Sequence, residues 1–260
     1  MLSPHQDDET IGCGLLMAEK ASGGIPVAVA VATDGSSGWF SPSPRPARHD
    51  IDEIRCREWH LALDTLEVSR EARFEFRFPD GELSDHQGEL VDRVGAVFRT
   101  VRPSQVFVTR SGDPHPDHRS LARAVRHAVA QTYGSGGALA SGGGSARPGF
   151  GPFGPRPQVF SYRVYPGEGL WPDGRPSQVT ARATVVQFAR AVLGLAGRRA
   201  LLFRAPESLP KKMAAINAYD SQSRLLGGEL RYVWGKGVEL YWPMDQDGSG
   251  DAFDPVDPSY

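Results

Sequence analysis

Several things are scarce in this sequence, and each scarcity removes a class of protein. Cysteine occurs twice in 260 residues, at Cys13 and Cys56, with no CxxC and no Cys/His cluster, so a disulfide framework or a cysteine-based zinc fold is excluded and a reducing, cytoplasmic setting is expected. Charge of one sign is not in excess: 29 Lys and Arg against 31 Asp and Glu give a net charge of −2, and the scattered positive residues form no stripe of the kind nucleic acid requires. Long apolar runs are missing too. The longest, residues 25–32 with Pro26 inside it, is far too short for a membrane span, and no basic segment followed by an apolar core marks a signal peptide. No internal repeat is present. The length suits one substantial α/β domain, and nothing in it fixes an oligomeric state.

What is present is an alternation of strand and helix signals, with polar clusters placed after strand ends. Only Met1 and Leu2 precede the first polar turn, so the first strand is expected to be a stub or to start further upstream. Residues 25–33 (IPVAVAVAT) read as a strand buried on both faces of a parallel sheet. Residues 51–66 read as a helix capped by Asp50, with Ile51, Ile54, Trp59, Leu61, Leu63 and Leu66 on a broad apolar face. Phe74, Phe76 and Phe78 alternate with charged residues as in a half-buried strand. Residues 86–102 and 120–132 read as helices on either side of a strand at 105–110. The fold class expected is α/β: a doubly wound, mainly parallel, Rossmann-like sheet with a smaller C-terminal lobe, whose site lies beyond the carboxyl ends of the strands.

Glycine and proline are concentrated in residues 133–157, which hold nine and four of them, and this segment is expected to be an insertion without regular structure. Further on, residues 159–164 and 179–188 look strand-like, 189–202 and 210–219 helical, and 238–242 a last strand. One domain over residues 1–242 and a flexible acidic tail over 243–260 are expected, with five aspartates falling between 245 and 260.

Two polar stretches carry the chemistry. In the first, Ser3-Pro4-His5-Gln6-Asp7-Asp8-Glu9, a tight turn between strand and helix can aim His5 and Asp8 at one point while Asp7 stays separate. The second is Asp113-Pro114-His115-Pro116-Asp117-His118. His5, Asp8 and His118 make a two-imidazole, one-carboxylate set suited to Zn²⁺ in a hydrolase, although Fe²⁺ or another divalent ion takes the same ligands. Asp7 is then the candidate general base, its rival role being a helix N-cap. His115, three residues before His118, can face the same cavity and stabilise an oxyanion or protonate a leaving amine. Asp117 suits a partner that orients an imidazole. His49, His60, His86 and His127 read as surface or packing residues, and Cys13 as a small packing residue.

With these residues in place the chain resembles the PIG-L/LmbE-like family of zinc-dependent de-N-acetylases, whose motifs are (Ala/Ser)-Pro-His-Pro-Asp-Asp-Glu and His-Pro-Asp-His. Thr33-Asp34-Gly35, Arg55-x-x-Glu58, Phe78-Pro79-Asp80-Gly81, Lys212 and Tyr219-Asp220-Ser221-Gln222 match in order, so the resemblance spans about residues 3 to 242. It implies His5, Asp8 and His118 as zinc ligands, Asp7 as base, His115 as electrostatic catalyst, and Arg55 and Asp80 near the sugar. The implied substrate is a small-molecule or glycoconjugate N-acetylglucosamine-type amino sugar; from composition, no nucleic-acid partner and no membrane span are expected. The rival expectations are an amidase acting on a non-sugar amide or thiol conjugate, and a binding protein that keeps the metal without turnover. Gln6 stands where the family motif has proline, and Asp113 where some relatives carry tyrosine.

Overall fold

The computed structural model describes residues 1–134, 150–151, 153–164, 200–226 and 237–244. The expected strand at 179–188, nearly all of the expected helix at 189–202, most of the Gly/Pro-rich segment and the tail from 245 lie outside these residues.

A mixed α/β fold results. Strands β1 (Leu2–Ser3), β2 (Val29–Thr33) and β3 (Arg73–Phe78) form a parallel sheet in that order, with Leu2 opposite Ala30 and Val29 opposite Arg73. Strand β4 (Gln105–Thr109) lies beside β1. A short antiparallel pair follows, β5 (Phe150–Gly151) with β6 (Gly154–Pro155). Strand β7 (Gln158–Tyr162) pairs parallel with β4, and β9 (Val238–Pro243) joins antiparallel to both β7 and β8 (Leu201–Arg204). Helices α1 (Asp8–Ser22), α2 (Arg48–Thr65), α3 (Gln87–Val101) and α4 (Pro116–Tyr133) connect the parallel strands, and α5 (Leu209–Ile216) packs on α1 and α2. Among the described residues no helix is long and apolar enough to cross a membrane.

β2 shows why a continuous apolar run was needed. Val29 and Val31 belong to one core with Leu16, Met17, Trp59 and Leu63, whereas Ala30 and Ala32 belong to another with Leu90, Val94, Leu121 and Val125. Each full burial of a valine or leucine is worth about 1.5–3 kcal/mol, so both sides of the strand contribute and neither can be polar.

The boundaries differ from expectation for identifiable reasons. β2 starts at Val29, not Ile25; Pro26 has no N–H to give a ladder, and Ile25 is half exposed. α2 starts at Arg48, which puts Asp50 in the first turn, where a carboxylate complements the helix dipole without capping. Leu61 is 57% exposed and leaves the apolar face, whose buried residues include Arg55 and Glu58 instead. α4 starts earlier, at Pro116, since proline suits the first helical position and the His115 ring accepts from the Asp117 N–H. Within the Gly/Pro-rich segment the β5–β6 pair is regular structure that was not expected. Leu201 and Leu202, read as helix, lie in β8, and Pro243, assigned to the tail, closes β9.

α1 is held from its middle by late segments of the chain. Glu239 of β9 accepts from the backbone N–H groups of Leu15 (2.8 Å) and Leu16 (3.0 Å). Lys212 of α5, 1% exposed, donates to Glu239 at 2.7 Å and to the Ile11 carbonyl at 2.6 Å. Gly12 lets Tyr162 lie directly on the helix: a Cβ there would come within 2.1 Å of the Tyr162 ring. The buried Glu9 carboxylate takes hydroxyl hydrogen bonds from Ser3, Thr10 and Tyr219.

Candidate metal centre and cleft

The turn after β1 and the first turn of α4 meet at the carboxyl ends of the parallel strands. Asp8 Oδ2 lies 3.2 Å from His5 Nδ1 and 3.3 Å from His118 Nε2. Two donors each about 2.0–2.1 Å from one tetrahedral ion are about 3.3–3.4 Å apart, so Asp8 Oδ2 stands at ligand-to-ligand spacing from each of the two imidazoles. The other Asp8 oxygen, Oδ1, is buried with no hydrogen-bond partner, a costly state for a carboxylate without a cation. The residues therefore fit a divalent ion held by two nitrogens and a carboxylate.

The far nitrogens of both imidazoles meet carboxylates. His5 Nε2 is 3.1 Å from both Asp80 Oδ1 and Asp117 Oδ2, and His118 Nδ1 is 3.2 Å from Asp113 Oδ2. Each carboxylate is itself fixed: Asp117 accepts from the N–H groups of Gly81 and Leu83, and Asp80 from that of Ser37. Imidazoles oriented in this way are stronger and better aimed metal ligands. Asp113 was not recognised from the sequence as a partner of His118. Its only signal was an aspartate repeated on both sides of the His115 position.

Burial alone would discharge the two imidazoles, but the carboxylates outweigh it. His118 is raised to about 9 by Asp8 and Asp113, and His5 well above the ordinary histidine value by Asp80, Asp117 and Asp8. Burial would raise the carboxyls of Asp8 and Asp80 as well, yet the imidazoles hold both well below the usual range. Asp8, Asp80, Asp113 and Asp117 stand against the two imidazoles and Asp7 against Arg55, and so acidic a cavity favours a dication.

Asp7 stands at the N-cap position of α1, but its side chain makes no capping hydrogen bond. Its backbone has φ 141°, a conformation that non-glycine residues rarely adopt and that recurs where function over-determines the chain. Burial drives its carboxyl up to about 7, despite Arg55 Nη2 at 3.4 Å. Arg55 also donates to the Gln6 carbonyl at 2.6 Å, and Gln6 Nε2 donates to the Thr33 carbonyl, which fastens the turn to β2 without proline. Gly35, at φ +65°, faces this side chain so closely that a Cβ would sit 2.2 Å from Gln6 Oε1.

His115 lies edge-on to His5, ring centroids 4.7 Å apart, and 5.1 Å from the His118 ring. Its Nδ1 accepts from the Asp117 N–H, so the neutral ring carries its proton on Nε2. Burial, reinforced by the neighbouring imidazoles, lowers its pKa to about 4 and keeps it neutral. His5, Asp7, Arg55, Asp80 and His115 line one cleft of about 220 Å³, whose other walls come from Ser37, Gly38, Phe40, Gln222 and Leu225. A larger cavity of about 320 Å³ lies at the opposite, amino-terminal ends of β2 and β4, away from all these groups.

A second cluster was not expected. Cys56 and His60, one turn apart on α2, meet Glu75 of β3. Here every contact is an ordinary hydrogen bond. Cys56 Sγ donates to Glu75 Oε2 (3.3 Å), and His60 Nε2 reaches Glu75 Oε1 (3.1 Å) while its Nδ1 faces Arg73 Nη1 (3.2 Å). An imidazole that accepts from a guanidinium on one nitrogen carries its proton on the other, and so offers no lone pair to a metal.

Known proteins give this site its context. Residues 1–129 match the family described as PIG-L: GlcNAc-PI de-N-acetylase. A 1D-myo-inositol 2-acetamido-2-deoxy-alpha-D-glucopyranoside deacetylase of Kineococcus radiotolerans is 34% identical over 170 residues, 53% of this chain and 46% of that protein. A probable N-acetyl-alpha-D-glucosaminyl L-malate deacetylase 2 of Bacillus cereus is 30% identical over 132 residues, 49% of this chain and 59% of that protein. The chain thus spans about half the length of these curated relatives. Among solved structures, the N,N'-diacetylchitobiose deacetylase of Pyrococcus horikoshii superposes with a TM-score of 0.61 at 18% identity, covering 94% of this chain and 82% of that one. The 4-carboxy-2-hydroxymuconate hydratase of Pseudomonas putida does so with 0.56 at 18%, covering 90% and 79%. At such identities the likeness shows the fold, and the hydratase makes plain that the fold alone does not choose the reaction.

Proposed function

We propose that this chain, which carries a PIG-L family domain over residues 1–129, is a metal-dependent hydrolase that removes an N-acetyl group from an N-acetylglucosamine-type amino sugar or its conjugate. The observation that carries the reading is the convergence of His5 and His118 on one oxygen of Asp8, with the neighbouring Asp7 uncommitted to capping and open to the cleft. His5, Asp8 and His118 would hold the ion, and two nitrogens with one carboxylate suit zinc. Zinc bound there would supply Lewis acidity, lowering the pKa of a water and polarising the amide carbonyl.

The remaining steps belong to the chain. Asp7 takes a proton from the attacking water as a new C–O bond forms at the acetyl carbon. The Nε2–H of neutral His115 donates to the oxygen that becomes negative. Asp7 then returns its proton to the sugar nitrogen as the C–N bond breaks, leaving acetate and a free amine. Asp80 and Asp117 orient His5, and Asp113 orients His118. Arg55, whose Nε is buried without a partner and which lines the cleft, would meet the sugar together with Asp80. The same reading takes the chain through β9 as one doubly wound domain with a small C-terminal lobe, the Gly/Pro-rich segment after α4 as an insertion and the residues after β9 as an acidic tail, in the cytoplasm.

The test is turnover by the zinc-loaded protein of N-acetylglucosamine glycosides beside acyl conjugates of thiols and of non-sugar amines. Release of acetate from the glycosides is expected. Turnover confined to the other conjugates would make the protein an amidase of a different substrate class.

A further inference from the structure

The loop between β2 and α2 holds two arginines that the chemistry above does not use. Arg45 Nη2 donates to the Ser37 carbonyl at 2.9 Å and reaches that of Ser36 at 3.5 Å. Arg48 Nη2 donates to Ser37 Oγ at 2.7 Å, and its Nε to Ser36 Oγ at 3.3 Å. Two guanidiniums are thus tethered to the same pair of serines. Neither meets a carboxylate among the described residues: Asp50 is engaged by His49, and Asp34 by the N–H groups of Ser36 and Asp80. Both arginines are exposed, and each retains N–H groups beyond those it spends on the serines. Ser37 itself lines the cleft, and its backbone N–H holds Asp80, which in turn touches His5. The guanidinium pair therefore stands beside the cleft wall at Ser37, three contacts from His5.

Two like charges gathered without a counter-ion repel unless an anion lies between them, and forked donors match carboxylate or phosphate oxygens in pairs. We propose that Arg45 and Arg48 form a rim subsite for an anionic group, a carboxylate or a phosphate, on the aglycone of the amino sugar. This rests on the deacetylase reading and narrows it to acidic conjugates.

Three substrates given to the zinc-loaded full chain test it: a neutral methyl glycoside of N-acetylglucosamine, its malate conjugate, and a conjugate bearing phosphate on the aglycone. The unsubstituted protein should prefer one or both acidic compounds, and which one tells carboxylate from phosphate. In the double variant Arg45→Gln/Arg48→Gln, kcat/KM on the preferred compound should fall on the order of tenfold or more, through KM. Turnover of the neutral glycoside should stay within about twofold, and Arg45→Lys/Arg48→Lys should recover part of the loss. An unchanged preference, or an equal fall on the neutral glycoside, overturns the subsite. If none of the three is hydrolysed, the deacetylase reading fails, and calorimetry of the same compounds decides the subsite separately. Tighter binding of an acidic conjugate that disappears in the double variant supports it, and equal binding of all three by both proteins ends it.

Discussion

Among the described residues, Cys56, His60 and Glu75 form one group of metal-ligand types apart from the groups that share His5, and the two places differ in how far their polar atoms already satisfy one another. At Cys56, His60 and Glu75 both carboxylate oxygens receive a donor, and the far imidazole nitrogen faces Arg73. At His5, Asp8 and His118 two imidazoles point at one oxygen while the other carboxylate oxygen is buried with nothing to accept. The lesson is that residue type and proximity do not separate a ligand set from a hydrogen-bond network. What separates them is whether the donors and acceptors already satisfy one another.

The contrast can be broken most directly at the unsatisfied cluster. Asp8→Asn and His118→Ala should lose the metal and bring turnover to background, whereas Asp7→Asn should keep metal near stoichiometric with turnover reduced by a factor on the order of 10² to 10⁴. Metal analysis beside kinetics on the three purified variants decides this. Metal lost from Asp7→Asn but kept by Asp8→Asn would reverse the assignment. A smaller effect is expected one contact further out. Asp113→Ala should leave the fold intact and weaken metal affinity roughly 10- to 100-fold, read by competition with a chelator. An affinity unchanged within error would mean that Asp113 merely fills space beside His118.

Removing the metal sharpens the comparison from another direction. A chelator should lower the melting temperature, because an ion that binds only the folded state stabilises it by mass action. Cys56→Ala should show the same drop, since its cluster contributes no ligand; a variant insensitive to chelation would place the ion on α2 instead. The least effect belongs to Cys56→Ala itself. Metal content should stay at that of the unsubstituted protein, and denaturant unfolding should report a loss of about 1 kcal/mol for one weak hydrogen bond.

The sequence made the fold legible where side-chain period and chemistry coincide. The strand expected at 25–33 is there and covered on both sides over Val29–Thr33, and the alternate phenylalanines of β3 lie as their spacing implied. His5, Asp8 and His118 could be brought together in thought because a turn and a helix start each confine their residues. Partners fixed by tertiary approach were invisible. Nothing near Cys56 or His60 announces Glu75, Asp113 meets His118 only because the loop before α4 folds back, and the cleft walls at Phe40 and Leu225 come from segments far apart in the chain. Leu61 fell on an apolar stripe yet is exposed, because the adjoining part of α2 turns Arg55 and Glu58 inward. Periodicity marks which residues share a face but not what that face serves.

The grip of Lys212 and Glu239 on the middle of α1 sets an order of assembly. The helix that presents Asp8 is made early relative to β9, and the carboxylate that fastens Leu15 and Leu16 follows more than 220 residues later. Contacts so distant along the chain close slowly, since loop entropy must be spent before they return anything. A nascent chain that has made both ligand-bearing turns but not β9 thus carries its acidic residues on an unfastened helix. The candidate centre is in this sense completed only once β9 is in place, although His5 and Asp8 lie far upstream of it.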